Sequence, residues 1–343
     1  MPRCLHLLGL AALLLSLPAL AAPPLRLLSW PGYADEDLVA AFEQRYQHPV
    51  EVTLVHSDEQ LRRQFNRQQG RYFDLIAANT AELQALHAQQ RLLALPLQQL
   101  PNRLRQQRRF RDLQTLPAIS ADGQVYAIPY AYAEMGLIYD RQQLSQAPQS
   151  IASLWDPALH GRVLIYDGGS HNFALAALRQ GLPPFDLPAQ ALSELARDLQ
   201  ALRRNSLTFY RGPEESAELF ISQGAALMFA NYGQQQVKLL RDAGADIGYS
   251  IPREGALAWL DCWAINQASQ QVELALRWID YSLEPPVSQA LSERHGLGST
   301  LEGAADALPA QARLHWLQPV ENEQRRSQLW QAIRSGKRQL PGE

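Results

Sequence analysis

Cysteine is almost absent. The 343 residues hold only two, Cys4 and Cys262, so the chain cannot build a disulfide framework. Lysine is equally scarce: Lys238 and Lys337 stand alone, and arginine carries nearly all the positive charge. With 31 basic and 34 acidic residues the net charge is −3. That excludes the strong basic excess required for non-specific nucleic-acid binding. Beyond the first twenty or so residues, no stretch is long and apolar enough to span a bilayer. Catalytic signatures are missing too. There is no G-x-S-x-G elbow, no H-E-x-x-H helix and no P-loop, and the eight histidines are scattered without metal-ligand spacing. Enzyme, metal-binding and cofactor-dependent classes are therefore disfavoured. Cys262 lies in the apolar run Trp259-Leu260-Asp261-Cys262-Trp263-Ala264-Ile265 with no base close in sequence. It reads as a small buried hydrophobe.

What is present starts with MPRCLHLLGLAALLLSLPALA, residues 1–21. Arg3 gives a positive n-region, Leu7 to Leu15 an apolar h-region too short to span a membrane, and Ala19-Leu20-Ala21 a small-x-small cleavage site. This pattern predicts a secretory signal peptide cleaved after about Ala21, and with it a periplasmic location. No Cys follows the site, so no lipid anchor is expected there, and Cys4 leaves with the signal.

A 46% hydrophobic chain of this length suits about two globular domains. Arg26 to Trp30 reads as a first strand, turned by Pro31-Gly32. Asp35-Glu36-Asp37 opens a helix to about Tyr46, its acids complementing the helix dipole. A β-branched strand over 50–55, a helix to Arg67, a strand over 73–78 and a helix over 80–90 follow. Alternation at this spacing predicts βαβ units and a mainly parallel sheet. Residues 96–120, rich in Gln, Arg and Pro, predict an exposed excursion. Extended chain returns over 124–130 and 136–139. Later strands are expected at 162–166, 207–210, 225–230 and 247–251, with helices from near His171, at 188–204, at 214–222 and up to Ala243. Residues 256–266 form an aromatic-rich strand and 272–282 an amphipathic helix, and the tail from Ala310 reads as polar and helical.

Five segments carry a likeness to a known family. They are Leu28-Ser29-Trp30-Pro31-Gly32-Tyr33, Tyr72-Phe73-Asp74-Leu75-Ile76, Tyr126-Ala127-Ile128-Pro129-Tyr130, Ser153-Leu154-Trp155-Asp156-Pro157 with Gly161, and Glu254-Gly255 through Trp259-Leu260-Asp261. In order and spacing they resemble the periplasmic solute-binding proteins of ABC transporters, in particular the spermidine/putrescine-binding branch. The resemblance implies an α/β, two-lobe periplasmic binding protein fold of type II with a ligand cleft between the lobes. It places lobe one at 22–129 plus 255–300 and lobe two at 130–254 plus 301–343. It also implies a monomer without cofactor that captures a polyamine or related amine-containing solute for an ABC permease in the inner membrane. The alternative is a periplasmic sensor that reports polyamine occupancy to a membrane cyclic-di-GMP enzyme.

Ligand sites in open α/β sheets form beyond the carboxyl ends of the strands. A polyamine needs aromatic faces for its methylenes and ammoniums, and carboxylates placed to meet its amines. The resemblance assigns Trp30 and Tyr33 as a first aromatic pair, Asn79 and Thr80 to a cleft turn, Trp259 as an aromatic wall and Asp261 as the amine-binding carboxylate. Strand alternation puts Trp259 and Asp261 on one face. Phe229 stands where the branch usually has Trp. Gly168 and His171 hold the positions of second-lobe acids, while Asp167 falls one place early and should point elsewhere. Ala81 and Leu297 replace aromatics. Glu134, just after the first crossing, is the candidate compensating acid. His171, together with the backbone of Gly168-Gly169, instead suits a ligand carboxylate, as in a zwitterion.

Overall fold

Apolar runs bounded by turns become buried strands, and those strands form two large sheets beside a small pair of Ser120–Ala121 with Gln124–Val125 in the computed structural model, which describes residues 23–303 and 312–337. The expected signal peptide lies outside the described residues. In the first sheet the strand order is Gly298–Ser299, Ala127–Met135, Ala256–Ile265, Leu75–Asn79, Leu25–Ser29 and Val50–Leu54. Leu25–Ser29 runs parallel to both of its neighbours, and the two long strands run antiparallel to each other. The second sheet has the order Ile247–Ser250, Leu137–Asp140, Leu227–Phe229, Val163–Tyr166 and Ser206–Tyr210.

Local chemistry explains the helices that frame these sheets. Ser57 accepts the Gln60 N–H at 3.2 Å and starts Asp58–Phe65, which buries Leu61 and Phe65 at i, i+4 spacing. Asn79 accepts the N–H groups of Ala81 and Glu82, each at 3.0 Å, and starts Thr80–Ala88. Val272–Ser282 buries Ala275, Leu276, Trp278 and Ile279 against the first sheet's core. There Trp278 meets Phe42 and Trp263 edge-on, with centroids 4.9 and 6.1 Å apart. The second sheet has apolar clusters built on both of its faces.

Among the described residues, the chain passes between the sheets three times. The first passage is at Gly136, where a Cβ would fall 2.7 Å from the Ser250 carbonyl and the Tyr249 ring. Tyr249 accepts the Gly136 N–H at 3.0 Å and donates to the Glu134 carbonyl at 2.9 Å. The second passage lies between Ser250 and Ala256. The third follows Leu314–Trp316, which runs parallel to residues 256–258 of the first sheet before Glu323–Arg334 docks on the second lobe's helix Gly169–Arg179.

Three expectations need correction. The first sheet continues to Met135, past the expected boundary at 129, and it also takes in 314–316. The tail is not helical throughout. Along Ala256–Ile265, Leu75–Asn79 reaches only 261–265, so the edge beside 256–258 is open to a strand, and Trp316 packs there near Phe110 and Tyr132. The excursion at 96–120 is anchored rather than exposed, because Leu100, Phe110 and Ile119 are fully buried in the first core.

Candidate functional site

The first wall of the interlobe cleft begins at the Pro31-Gly32 turn. Gly32 has φ +87, and a Cβ there would lie 2.7 Å from the His295 ring, so only glycine closes the turn. Before it, half-buried Trp30 donates its indole N–H to the Ala77 carbonyl at 3.0 Å. After it, Tyr33 donates to Asp261 Oδ2 at 2.5 Å and stands edge-on to Tyr130 and Trp263. Asp261 is 7% exposed, and no cationic side chain pairs with it among the described residues. Burial raises its pKa to about 7, against the pull of the Tyr33 hydrogen bond and with a further push from Asp58. Burial, then Asp261, holds the Tyr33 hydroxyl well above its ordinary range, so it stays a donor. The same two causes keep the fully buried Cys262 a thiol. Trp259 lies two positions from Asp261 on the same strand and packs against the apolar clusters of both lobes.

Asn79, the register partner of Asp261, works at both ends of its amide. Its oxygen caps a helix and its Nδ2 donates to Asp58 Oδ1 at 2.9 Å. It therefore orients a carboxylate that sequence reasoning missed. Asp58 occupies the first helical position after the Ser57 cap. Burial raises its pKa, Arg62 and Asn79 oppose the shift, and Glu323 of the other lobe adds to it. Behind it, Glu82 pairs with Arg62 at 2.7 Å and is raised to about 7 by burial and by Asp58. Thr80 is buried, and its hydroxyl goes to the Leu317 carbonyl at 2.5 Å, so it ties down the third passage instead of facing the cleft.

The opposite wall starts at Tyr166, which ends its strand half-buried and meets His171 and Tyr232 edge-on at 5.1 and 6.0 Å. Its hydroxyl is raised chiefly by burial, and Asp58 and Asp167 add to the shift. Tyr166 and Tyr232 lie at turns that the sequence marks as cleft segments, but neither was among the expected ligand residues. The available signal was their position at the carboxyl ends of second-sheet strands. Asp167 turns away from the cleft to Arg211, Arg334 and the Trp330 indole. The two glycines have packing reasons. A Cβ on Gly168 would lie 2.5 Å from the Tyr166 ring, and one on Gly169 3.1 Å from the Arg326 carbonyl. Desolvation lowers the His171 pKa to about 4, so it carries no charge to offer a ligand carboxylate. Next to it, Glu323 accepts from Ser170 Oγ at 2.6 Å.

Two other expected site residues lie elsewhere. Phe229 is fully buried in the second lobe's core, because Leu227 and Phe229 alternate inward on a central strand. Glu134 pairs with Ala258, whereas Trp259 pairs with Ala133 and Asp261 with Ala131. Directly opposed residues share a face and successive residues alternate, so Glu134 lies on the reverse face, 3.3 Å from Gln234. A groove of about 520 Å³ between helices Gln234–Asp242 and Pro285–His295 carries none of the cleft aromatics.

Residues 37–315 match the family model described as bacterial extracellular solute-binding protein. The chain belongs to that family. This solute-binding protein is 24% identical to the putrescine/cadaverine-binding protein of Pseudomonas aeruginosa, over 92% of its own length and 95% of the relative's. It is 23% identical to the norspermidine sensor of Vibrio cholerae over 60% of its length and 59% of the sensor's. Its fold matches the spermidine/putrescine ABC transporter substrate-binding protein of Streptococcus pneumoniae with a TM-score of 0.75 at 18% identity, covering 92% of this chain and 99% of that one. Two-lobe periplasmic binding proteins thus share its architecture. No helix among the described residues is long and apolar enough to cross a membrane.

Proposed function

We propose that this solute-binding protein is exported, cleaved after about Ala21, and captures a polyamine or related aliphatic amine between its lobes for delivery to an ABC permease. Asp261 carries this reading. It is a buried carboxylate with one tyrosine donor and no cationic partner among the described residues, set among Trp30, Tyr33 and Trp259. Such a charge is costly when empty and is stabilised by an ammonium, which also gains cation–π contact with the rings. The relative named for putrescine and cadaverine supports the same chemistry. A neutral His171, next in sequence to the Ser170 that bonds Glu323, argues against a ligand carboxylate at that end. The cleft's groups suit binding, and no chemical step is assigned to them.

The test is calorimetry of the mature chain against aliphatic amines, amino acids and quaternary ammoniums. Tight binding of amines alone is expected, and selective binding of an amino acid overturns the reading. The norspermidine sensor relative supports a second reading, in which the loaded form docks on a membrane signalling enzyme. The importer reading is preferred because the P. aeruginosa relative spans 92% of the chain and the sensor 60%. Amine uptake in a strain lacking the chain separates the two.

A further inference from the structure

We propose that His295 is a positioning residue for the amine site, holding the Trp30–Tyr33 turn in the form that presents its two aromatic side chains to the ligand. The inference rests on the amine reading above. The Tyr33 N–H donates to the Trp30 carbonyl at 3.3 Å, and Gly32 follows Pro31 with φ +87, which fits a type II turn. One backbone hydrogen bond closes the turn and glycine restrains it little, so its form depends on what packs against it. The ring of His295 does that packing. A Cβ on Gly32 would lie 2.7 Å from its Cγ and 2.8 Å from its Cδ2. The ring is fixed in turn by its Nε2–H, which donates to Asp35 Oδ2 at 2.9 Å and lies 3.2 Å from Oδ1.

Asp35 shows what this arrangement displaces. It is the N-cap of the helix Glu36–Tyr46, where an aspartate ordinarily caps with its own carboxylate, yet that carboxylate makes no capping bond. Its oxygens go to His295 and Arg294 instead. The joint between the helices Glu36–Tyr46 and Pro285–His295 does not need His295, because Arg294 meets Asp37 with two bonds of 2.8 Å. What His295 adds is its contact with the turn. Its own base is firm. Gly296 ends the helix with φ +65, and Ser292 Oγ donates to the Leu297 carbonyl at 2.7 Å. Gly296 also abuts the second lobe, where a Cβ on it would lie 3.0 Å from Gln235 Cα. From the turn so held, Trp30 reaches the Ala77 carbonyl at 3.0 Å and Tyr33 reaches Asp261 at 2.5 Å. His295 acts through these two residues: it places the indole and aims the phenol at the carboxylate that takes the ammonium.

The test compares the mature parent with His295→Ala, His295→Gln and Arg294→Gln, with circular dichroism verifying each fold. Glutamine carries its amide nitrogen near the position of Nε2 and can still donate to Asp35. Arg294→Gln weakens the joint between the helices and leaves the contact with the turn. In calorimetry with putrescine, His295→Ala should weaken binding about tenfold, and His295→Gln should recover most of the loss. Arg294→Gln should lower the melting temperature and keep the parental affinity. In ligand-free chains labelled with 5-fluorotryptophan, the Trp30 fluorine resonance, identified by its loss in Trp30→Phe, should shift or broaden in His295→Ala and stay parental in Arg294→Gln. Parental putrescine affinity in His295→Ala, an unmoved Trp30 resonance, or an equal loss of affinity in Arg294→Gln would each overturn the proposal. If the parent itself binds no aliphatic amine, the amine reading fails, while the Trp30 resonance of the ligand-free chain still shows whether His295 holds the turn.

Discussion

Replacing Asp261 with Asn should make the empty protein more stable at alkaline pH while depriving it of ligand. The carboxyl has an unfolded pKa near 3.8 and a folded pKa of about 7. A raised carboxyl pKa means that the folded state prefers the proton, so the destabilisation develops as pH rises from about 4 to 7 and is complete above that. About three pH units at 1.36 kcal/mol each set an upper bound of roughly 4 kcal/mol, and solvent penetration and relaxation reduce it to about 2–4 kcal/mol. Asn keeps the size and still accepts from Tyr33, so it relieves the charge without opening a cavity. Thermal melts of the ligand-free parent and variant at pH 5 and pH 8 measure this. At pH 5, about one unit above the unfolded pKa, the variant should already gain somewhat less than half of its full advantage, and at pH 8 the gain should reach a few degrees. Saturating diamine should then reverse the order by stabilising only the parent. A pH-independent difference, or a less stable variant at pH 8, would refute the claim that Asp261 is a desolvated and uncompensated charge.

Ligand affinity should depend on pH with the opposite sign, rising where the empty protein loses stability. Asp261 and Glu82 are raised to about 7, and an ammonium prefers the ionised form, so affinity should fall about tenfold per unit as pH drops below 7. Calorimetry in buffers of different ionisation enthalpy should detect proton release on binding at pH 6, and a flat profile contradicts it. Trp259→Ala should abolish the ligand-induced change in tryptophan fluorescence while leaving the far-ultraviolet dichroism intact, and an unfolded variant would make Trp259 a core residue only. Arg326→Ala empties a fully buried site, leaves the Pro184 and Ser170 carbonyls without their donor and should cost about 1–3 kcal/mol. Hydrogen exchange should show the loss concentrated in Glu323–Arg334 and its contact with Gly169–Arg179.

The part of the site carried by local pattern was legible in the sequence. Trp30 and Tyr33 flank a Pro-Gly turn, and Trp259 and Asp261 share a strand face, so two short segments specify one wall. Glu134 was misplaced because its face depends on register against Ala258, which only the paired strands define. Phe229 sits at a strand end, where a wall residue and a core residue have the same local pattern. Asp58 and Glu323 were illegible for another reason. Each is an acid in the first turn of its helix, where dipole stabilisation is a sufficient explanation. Asp58 joins the wall only through its hydrogen bond to Asn79, 21 positions on, and Glu323 meets the second lobe only through Ser170, 153 positions back. The strand at 314–316 was missed because its partner edge exists only once Leu75–Asn79 stops short.

The third passage changes what kind of joint connects the lobes. Met135, Leu257 and His315 lie side by side where the chain leaves the first sheet, so the joint is three ribbons wide. Narrow tethers allow both bending and torsion. Three ribbons abreast bend easily about the line that crosses them but resist rotation about their own length. The lobes should therefore swing like a door on a broad hinge, along one path. Removing residues from Leu314 onward would narrow the joint to two ribbons and free the lobes to twist as well as bend.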